Sequence, residues 1–275
     1  AAILWAALGL APTALAVAYY YERGSAVFQA FWFANFVSVG LRRGYPAAKI
    51  AARLAGTTTQ LAPFALIATL HWRDRPRRAE TILACGWLAA ALVAFVMIGA
   101  FFDHYALPLM VPLAIVAAPV LGRHRAALVA TLGWGVALLT FHIVTEPDEG
   151  TSARAIARVI KADSGAECPF VFAGDSILYY LAGTCLPTAY AFPSTLAYDA
   201  ERGASGIDET AEVRRIMTRR PPVVVTMDHP LAPWNLATHA VVARALAQGY
   251  RLIMVAPRGA DHLLVYLRRD IRRVR

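Results

Sequence analysis

Charge is what this chain has least of. Only 16% of its 275 residues are charged against 58% hydrophobic, and the mean hydropathy is +0.49. That balance argues against a single soluble globule. Acids are scarcest in the first half: residues 1–145 hold eleven Lys/Arg but only Glu22, Asp74, Glu80 and Asp103 as acids. Residues 146–275 carry sixteen basic and fourteen acidic side chains, an ordinary soluble density. The net charge of +9 and pI of 9.8 therefore arise mainly beside apolar runs. Basic residues there meet headgroups or set topology, and they are no evidence for nucleic acid. Cysteine is scarce as well, with three residues. No metal-ligand spacing is present, since His229 and His262 stand isolated, and cofactors stay unknown. The G-x-S-x-G elbow and the G-x-G-x-x-G run are both missing, so "GDS" at 174–176 supports neither a nucleophile nor a phosphate turn, and Asp175 reads as a helix N-cap. Internal repeats and low-complexity tracts are absent too.

What the chain does have is long apolar runs. Charge-free stretches occupy residues 1–21, 54–72, 81–102, 105–122 and 126–145. Each approaches the roughly 20 residues a helix needs to cross the hydrocarbon core, so about five transmembrane helices are expected. None carries the polar face a buried soluble helix would need. "RDRPRR" (73–78) and "GRHR" (122–125) are basic while "DHY" (103–105) has no Lys or Arg, so the first two are expected in the cytoplasm and Asp103 and His104 outside. Alternation then puts "TEPDEG" and all that follows outside. The loop 22–53 must be external too, although it holds Arg23, Arg42, Arg43, Lys49 and Arg53. Either 54–72, with its polar "GTTTQ" and Pro63, is re-entrant or broken, or these cations are kept outside against the usual bias. The clear spanning length favours the second. "SAVFQAFWFANFV" (25–37) suits an interfacial helix on the outer leaflet or packing against neighbouring spans.

Residues 146–275 read as an extracytoplasmic α/β domain, distinct from the transmembrane domain 1–145. Ser152 is an N-cap candidate for "ARAIARVIKAD"; "PFVFA" and "PPVVVTM" are buried strands; "DETAEVRRIMTRR" and "LATHAVVARALAQG" are helices; "RLIMVAP" and "HLLVYLRR" form a hairpin around Arg258 and Gly259. A small, partly parallel sheet with helices on its faces follows. Cys168 and Cys185 border elements of this domain, and in an oxidising compartment they either bond or stay free thiols. Cys85 falls inside a span, as a small buried side chain. Arg42, Arg43 and Lys49 suit either a phosphate group presented at the outer leaflet or anionic headgroups in general.

Together the external "FWFANF" stretch, the basic cytoplasmic loop, a span ending in "DHYALPLMVPLAI", one further span and an α/β domain with "LYYLAG" and "PTAYAFP" resemble the C-terminal portion of GT-C membrane glycosyltransferases. The bacterial protein-mannosyltransferase and aminoarabinose-transferase-like set is the most similar group. Its HY-x-LP segment is matched by His104, Tyr105, Leu107 and Pro108. The resemblance covers nearly the whole chain. It implies a multi-pass protein of the bacterial inner membrane that moves a sugar from a polyprenyl-phosphate carrier to a lipid, glycan or protein acceptor on the outer face. Arg42, Arg43 and Lys49 would hold the carrier phosphate, with His104 and Tyr105 shaping the cleft. The family's catalytic acid lies in an early external loop not matched here, so the chain is expected to be part of a longer enzyme, and Asp103 does not inherit that role. Two readings compete with this one. The first is a non-catalytic membrane protein with an external α/β binding domain. The second is a transporter fragment, against which no pair of interrupted spans suggests inverted repeats.

Overall fold

The computed structural model describes residues 2–70, 79–145 and 149–273; "RDRPRR" and residues 146–148 of "TEPDEG", on which part of the topology reading rests, lie outside them. The chain is mostly helical with one small sheet, and it divides into two compact units, Ala1–Arg43 with Glu149–Arg275, and Gly44–Asp148.

The second unit is built from α4 (Ala47–Leu70), α5 (Ala79–Ile98), a 3-10 turn (Asp103–Ala106), α6 (Leu107–Arg123) and α7 (Arg125–Thr145). Among the described residues three helices are long and apolar enough to cross a membrane: Ala79–Ile98 with mean hydropathy 2.4, Asp103–Arg123, and the run opening at Arg125. Their apolar side chains mostly point outward. Only Ala84, Ala91 and Phe95 of α5 are buried, an arrangement stable where the surroundings are themselves apolar. Alanines let the helices approach: Ala91 and Ala106 cluster with Phe95 and Leu109, and Ala68 and Ala84 with Val116, with Cys85 half-buried against the second cluster. Pro63 sits inside α4 without interrupting it, so this segment is one continuous helix rather than a broken one. α4 also begins earlier than the charge-free run, and Lys49 and Arg53 lie in its first two turns instead of in a loop.

The first unit opens with α1 (Ala2–Glu22), turns at Gly24, whose φ of 102° suits only glycine, and continues as α2 (Ser25–Trp32), a π turn (Phe33–Val37) and α3 (Ser38–Leu41). Rings stack along it, Tyr20 on Phe31 and Trp32 on Phe36, each pair 4.3 Å apart. The same unit holds α8 (Glu149–Ser164), β1 (Phe170–Val171), α9 (Ile177–Ala182), α10 (Pro193–Ala197), α11 (Glu209–Thr218), β2 (Val223–Met227), α12 (Leu236–Gly249), β3 (Tyr250–Arg258) and β4 (Asp261–Arg268).

Its strand order is β1-β2-β4-β3, with β1 parallel to β2 and the other pairs antiparallel. Central β2 is buried at every residue, as its unbroken Val-Val-Val-Thr-Met run requires. Ile156 and Ile160 of α8, Leu178 of α9, and Val213 and Ile216 of α11 complete the core with Phe170 and Phe172. Tyr179 ties α9 to β1: its hydroxyl accepts the Val171 N–H at 2.8 Å, and burial pushes its pKa up to about 12, so it stays neutral. Of two helix starts, one differs from expectation. Asp208 caps α11 by accepting the Ala211 N–H at 2.9 Å, whereas Ser152 lies inside α8, which starts at Glu149. A capping residue followed by good helix formers is no barrier to another turn before it.

Candidate functional site

In the second unit the chain between α5 and α6 makes a tight turn, with Gly99 at φ 68° and Phe101, unusually for a residue with a Cβ, at φ 51°. Arg53 holds this turn. Its Nη1 donates to the Ala100 carbonyl at 2.7 Å, and its guanidinium carbon lies 3.7 Å from the centre of the Phe102 ring and 4.1 Å from that of Tyr45. A cation between two aromatic faces is attracted by both quadrupoles and stays oriented while charged. Lys49 stands one turn earlier on the same helix. His104 stacks on Phe102 with ring centres 5.4 Å apart and meets the edge of Tyr105 at 4.3 Å. Asp103 is used locally: Oδ1 accepts the His104 N–H at 2.9 Å and lies 3.7 Å from its Nδ1. The turn thus presents an imidazole and a phenol beside a fixed guanidinium.

Arg42 and Arg43 belong to the first unit, and Lys49, His104 and Tyr105 to the second. Both arginines are engaged by the turn before α11. Arg42 Nε lies 3.1 Å from Glu201, Arg43 Nη1 lies 3.8 Å from Asp199, and the Arg43 N–H donates to the Ala200 carbonyl at 2.9 Å. Arg202 shares Asp199 at 3.2 Å. Three guanidinium groups against two carboxylates leave this cluster with one net positive charge. A phosphate approaching Arg42 or Arg43 must compete with carboxylates already in place.

The α/β unit gathers polar groups at one edge of its sheet. β1 and β2 run parallel and β4 antiparallel to them, so the residues after β1 and β2 and those opening β4 share one end. Gly174 makes the exit from β1 at φ 130°, and a Cβ there would lie 3.0 Å from Leu263. Asp175 follows, but it does not cap α9: it accepts two hydrogen bonds from Arg258, at 2.8 and 3.0 Å. A fork-to-carboxylate pair outcompetes a local cap because it satisfies a mostly buried guanidinium.

Beside it, Asp228 Oδ1 accepts the N–H groups of His229 (2.7 Å) and His262 (2.9 Å), and Oδ2 lies 2.8 Å from His262 Nδ1. His229 Nδ1 is 3.4 Å from Asp228 and 3.9 Å from Asp261. The histidines that look isolated in sequence are therefore neighbours of two carboxylates. Asp228, His229 and Asp261 offer ligand atoms within 4.8 Å of one another, a donor set of the kind divalent first-row metals accept. The sequence signal for this meeting is a recurring dipeptide: Asp-His follows β2 and opens β4, and antiparallel register makes the two meet. A cavity of about 560 Å³ lies alongside, with Asp228, His239 and Tyr250 in its lining.

The backbone N–H of His262, then its ring and the N–H of His229, hold the Asp228 carboxyl well below the usual carboxylate range. A depressed folded-state pKa stabilises the fold above the unfolded value of about 3.9, and this contribution fades as pH falls toward the folded value. Acid titration followed by circular dichroism is expected to show the α/β unit losing stability below about pH 4, with a flatter acid limb in Asp228→Asn. An identical acid limb in the variant would show that Asp228 carries none of it.

No protein-family model, curated protein or solved structure matches the chain.

Proposed function

We propose that the chain is part of a GT-C-type membrane glycosyltransferase that takes a sugar from a polyprenyl-phosphate carrier and delivers it to a lipid, glycan or protein acceptor on the outer face of a bacterial inner membrane. The observation that carries this reading is the turn between α5 and α6 in the second unit. Its His-Tyr-x-Leu-Pro segment follows a membrane-length helix, and Arg53 is fixed beside it between two aromatic rings. In this reading five helices span the bilayer, α1 and α4 joining the three apolar ones, and α2 with its stacked rings lies at the outer interface.

Lys49 and Arg53 supply positive charge toward the carrier phosphate, Lys49 as a point charge and Arg53 as an oriented fork. His104 and Tyr105 donate hydrogen bonds to the sugar or phosphate oxygens. Inversion at the anomeric carbon also needs a carboxylate that removes the acceptor proton, a contribution of about 10²- to 10⁴-fold. Asp103 is not assigned that task, since it does not lie in the early external loop where the resembled family carries its acid.

Arg42 and Arg43 are a second cationic point on the first unit. Because both are already paired with carboxylates, Arg42→Ala with Arg43→Ala is expected to weaken polyprenyl-phosphate binding only several-fold, while insertion into membranes is unchanged. The measurement is binding of polyprenyl phosphate to the chain in detergent. Unchanged binding removes the phosphate role of these two residues. No binding and no sugar transfer by the chain, assayed as the whole protein, would favour a membrane protein whose α/β unit binds a partner or glycan.

A further inference from the structure

The α8–α9 face of the α/β unit has a use in none of the chemistry above. α8 buries Ile156, Ala157 and Ile160 and turns Arg154, Arg158 and Lys161 outward at helical spacing. Among the described residues none of these three cations has a carboxylate within ion-pair distance; Arg158 Nε instead donates to the Arg154 carbonyl at 3.4 Å. With Thr151 and Leu181 they line a cleft of about 360 Å³. Leu181 continues into an exposed apolar strip on α9, where Ile177 and Tyr180 are 48% and 81% exposed. Large apolar side chains this open, rimmed by unpaired cations, mark a contact surface more often than a solvated face.

We propose that this face docks on the anionic phospholipid surface of the membrane the protein spans, with Arg154, Arg158 and Lys161 meeting headgroup phosphates and Tyr180 and Leu181 entering the interface. Charge complementarity selects an anionic partner, and the adjoining apolar strip selects a lipid surface over a free phosphate, which has no use for it. Chain order agrees: three residues separate α8 from the apolar helix α7, so α8 is tethered where headgroups are concentrated. The long stems of Arg and Lys can lie along the apolar strip while their charges reach the phosphates. The inference rests on the membrane reading and not on the transferase reading.

The test is amide hydrogen exchange of the whole protein in nanodiscs of phosphatidylcholine, with or without an equal share of phosphatidylglycerol. Each cation near an anionic surface contributes about fivefold to association. Amides of residues 150–161 and 177–182 are expected to exchange several-fold more slowly in the anionic discs. Arg154→Gln with Arg158→Gln and Lys161→Gln should return them to the rate seen in phosphatidylcholine, and Tyr180→Ser with Leu181→Ser should recover part of that rate. Equal exchange of the wild-type chain in both discs would overturn the proposal. So would slowing produced in pure phosphatidylcholine by millimolar inorganic phosphate, which would make the cleft a free-phosphate site. A chain that fails to co-elute with the discs at all would overturn the membrane reading itself.

Discussion

Under the transferase reading proposed above, Arg53→Ala is expected to lower sugar transfer at least tenfold in the whole reconstituted protein while leaving membrane insertion unchanged. The guanidinium makes a charge-assisted hydrogen bond to the Ala100 carbonyl, a type worth about 1.5–3 kcal/mol, and lies over two rings, each contact adding about 0.5–1 kcal/mol. A tenfold change in rate corresponds to about 1.4 kcal/mol, so losing even half of this set is visible. The loss acts on geometry. Without Arg53 the Ala100 carbonyl and the left-handed Phe101 lose their tether, and the turn that presents His104 and Tyr105 loosens. Arg53→Lys separates charge from shape, since it keeps the cation and gives up the planar fork, and it is expected to fall between the wild type and alanine. Wild-type transfer in the alanine variant would remove the turn from the mechanism.

The second large effect concerns stability. Cys168 and Cys185 are bonded, joining the chain just before β1 to the segment after α9. Closing a loop of this length restricts the unfolded chain by about 3 kcal/mol, so Cys168→Ser with Cys185→Ser is expected to destabilise the α/β unit by that order. For a unit of this size the melting temperature falls by roughly 10 °C. Thermal unfolding of the wild type with and without a thiol reductant gives the same comparison without mutation. Equal melting in both would show that the bond contributes nothing. A bond of this kind persists in oxidising surroundings, which agrees with the outer-face placement proposed for the α/β unit.

How much of this could be read from the sequence differs from residue to residue. The helices α5, α6 and α7 follow from uninterrupted apolar runs, because a helix satisfies its own backbone and needs only length and apolarity to suit a membrane. The β3–β4 hairpin follows from two apolar strands around Arg258 and Gly259. Helix starts were less legible. Lys49 and Arg53 lie before the charge-free run and so look like loop residues, yet Lys and Arg are good helix formers, and α4 simply extends through them. Arg53, the residue that organises the turn between α5 and α6, therefore reads in sequence as one more loop cation. Asp175 reads as a cap because a cap is a local event, whereas its partner Arg258 lies 83 residues away.

His229 and His262 show the same limit from the other side. Each is followed or preceded by nothing that resembles a metal spacing, and only the pairing of Met227 with Leu263 brings the two Asp-His dipeptides to one edge. Arg42 and Arg43 look free in sequence, and the fold engages both with Asp199 and Glu201. Which segments are apolar, how long they are and where the charge balance changes are properties of consecutive residues, so the order of amino acids is enough to state them. Which carboxylate meets which cation is a property of strand register and helix packing. It is settled only when distant segments are brought within about 4 Å, where ion pairs and charged hydrogen bonds have most of their strength.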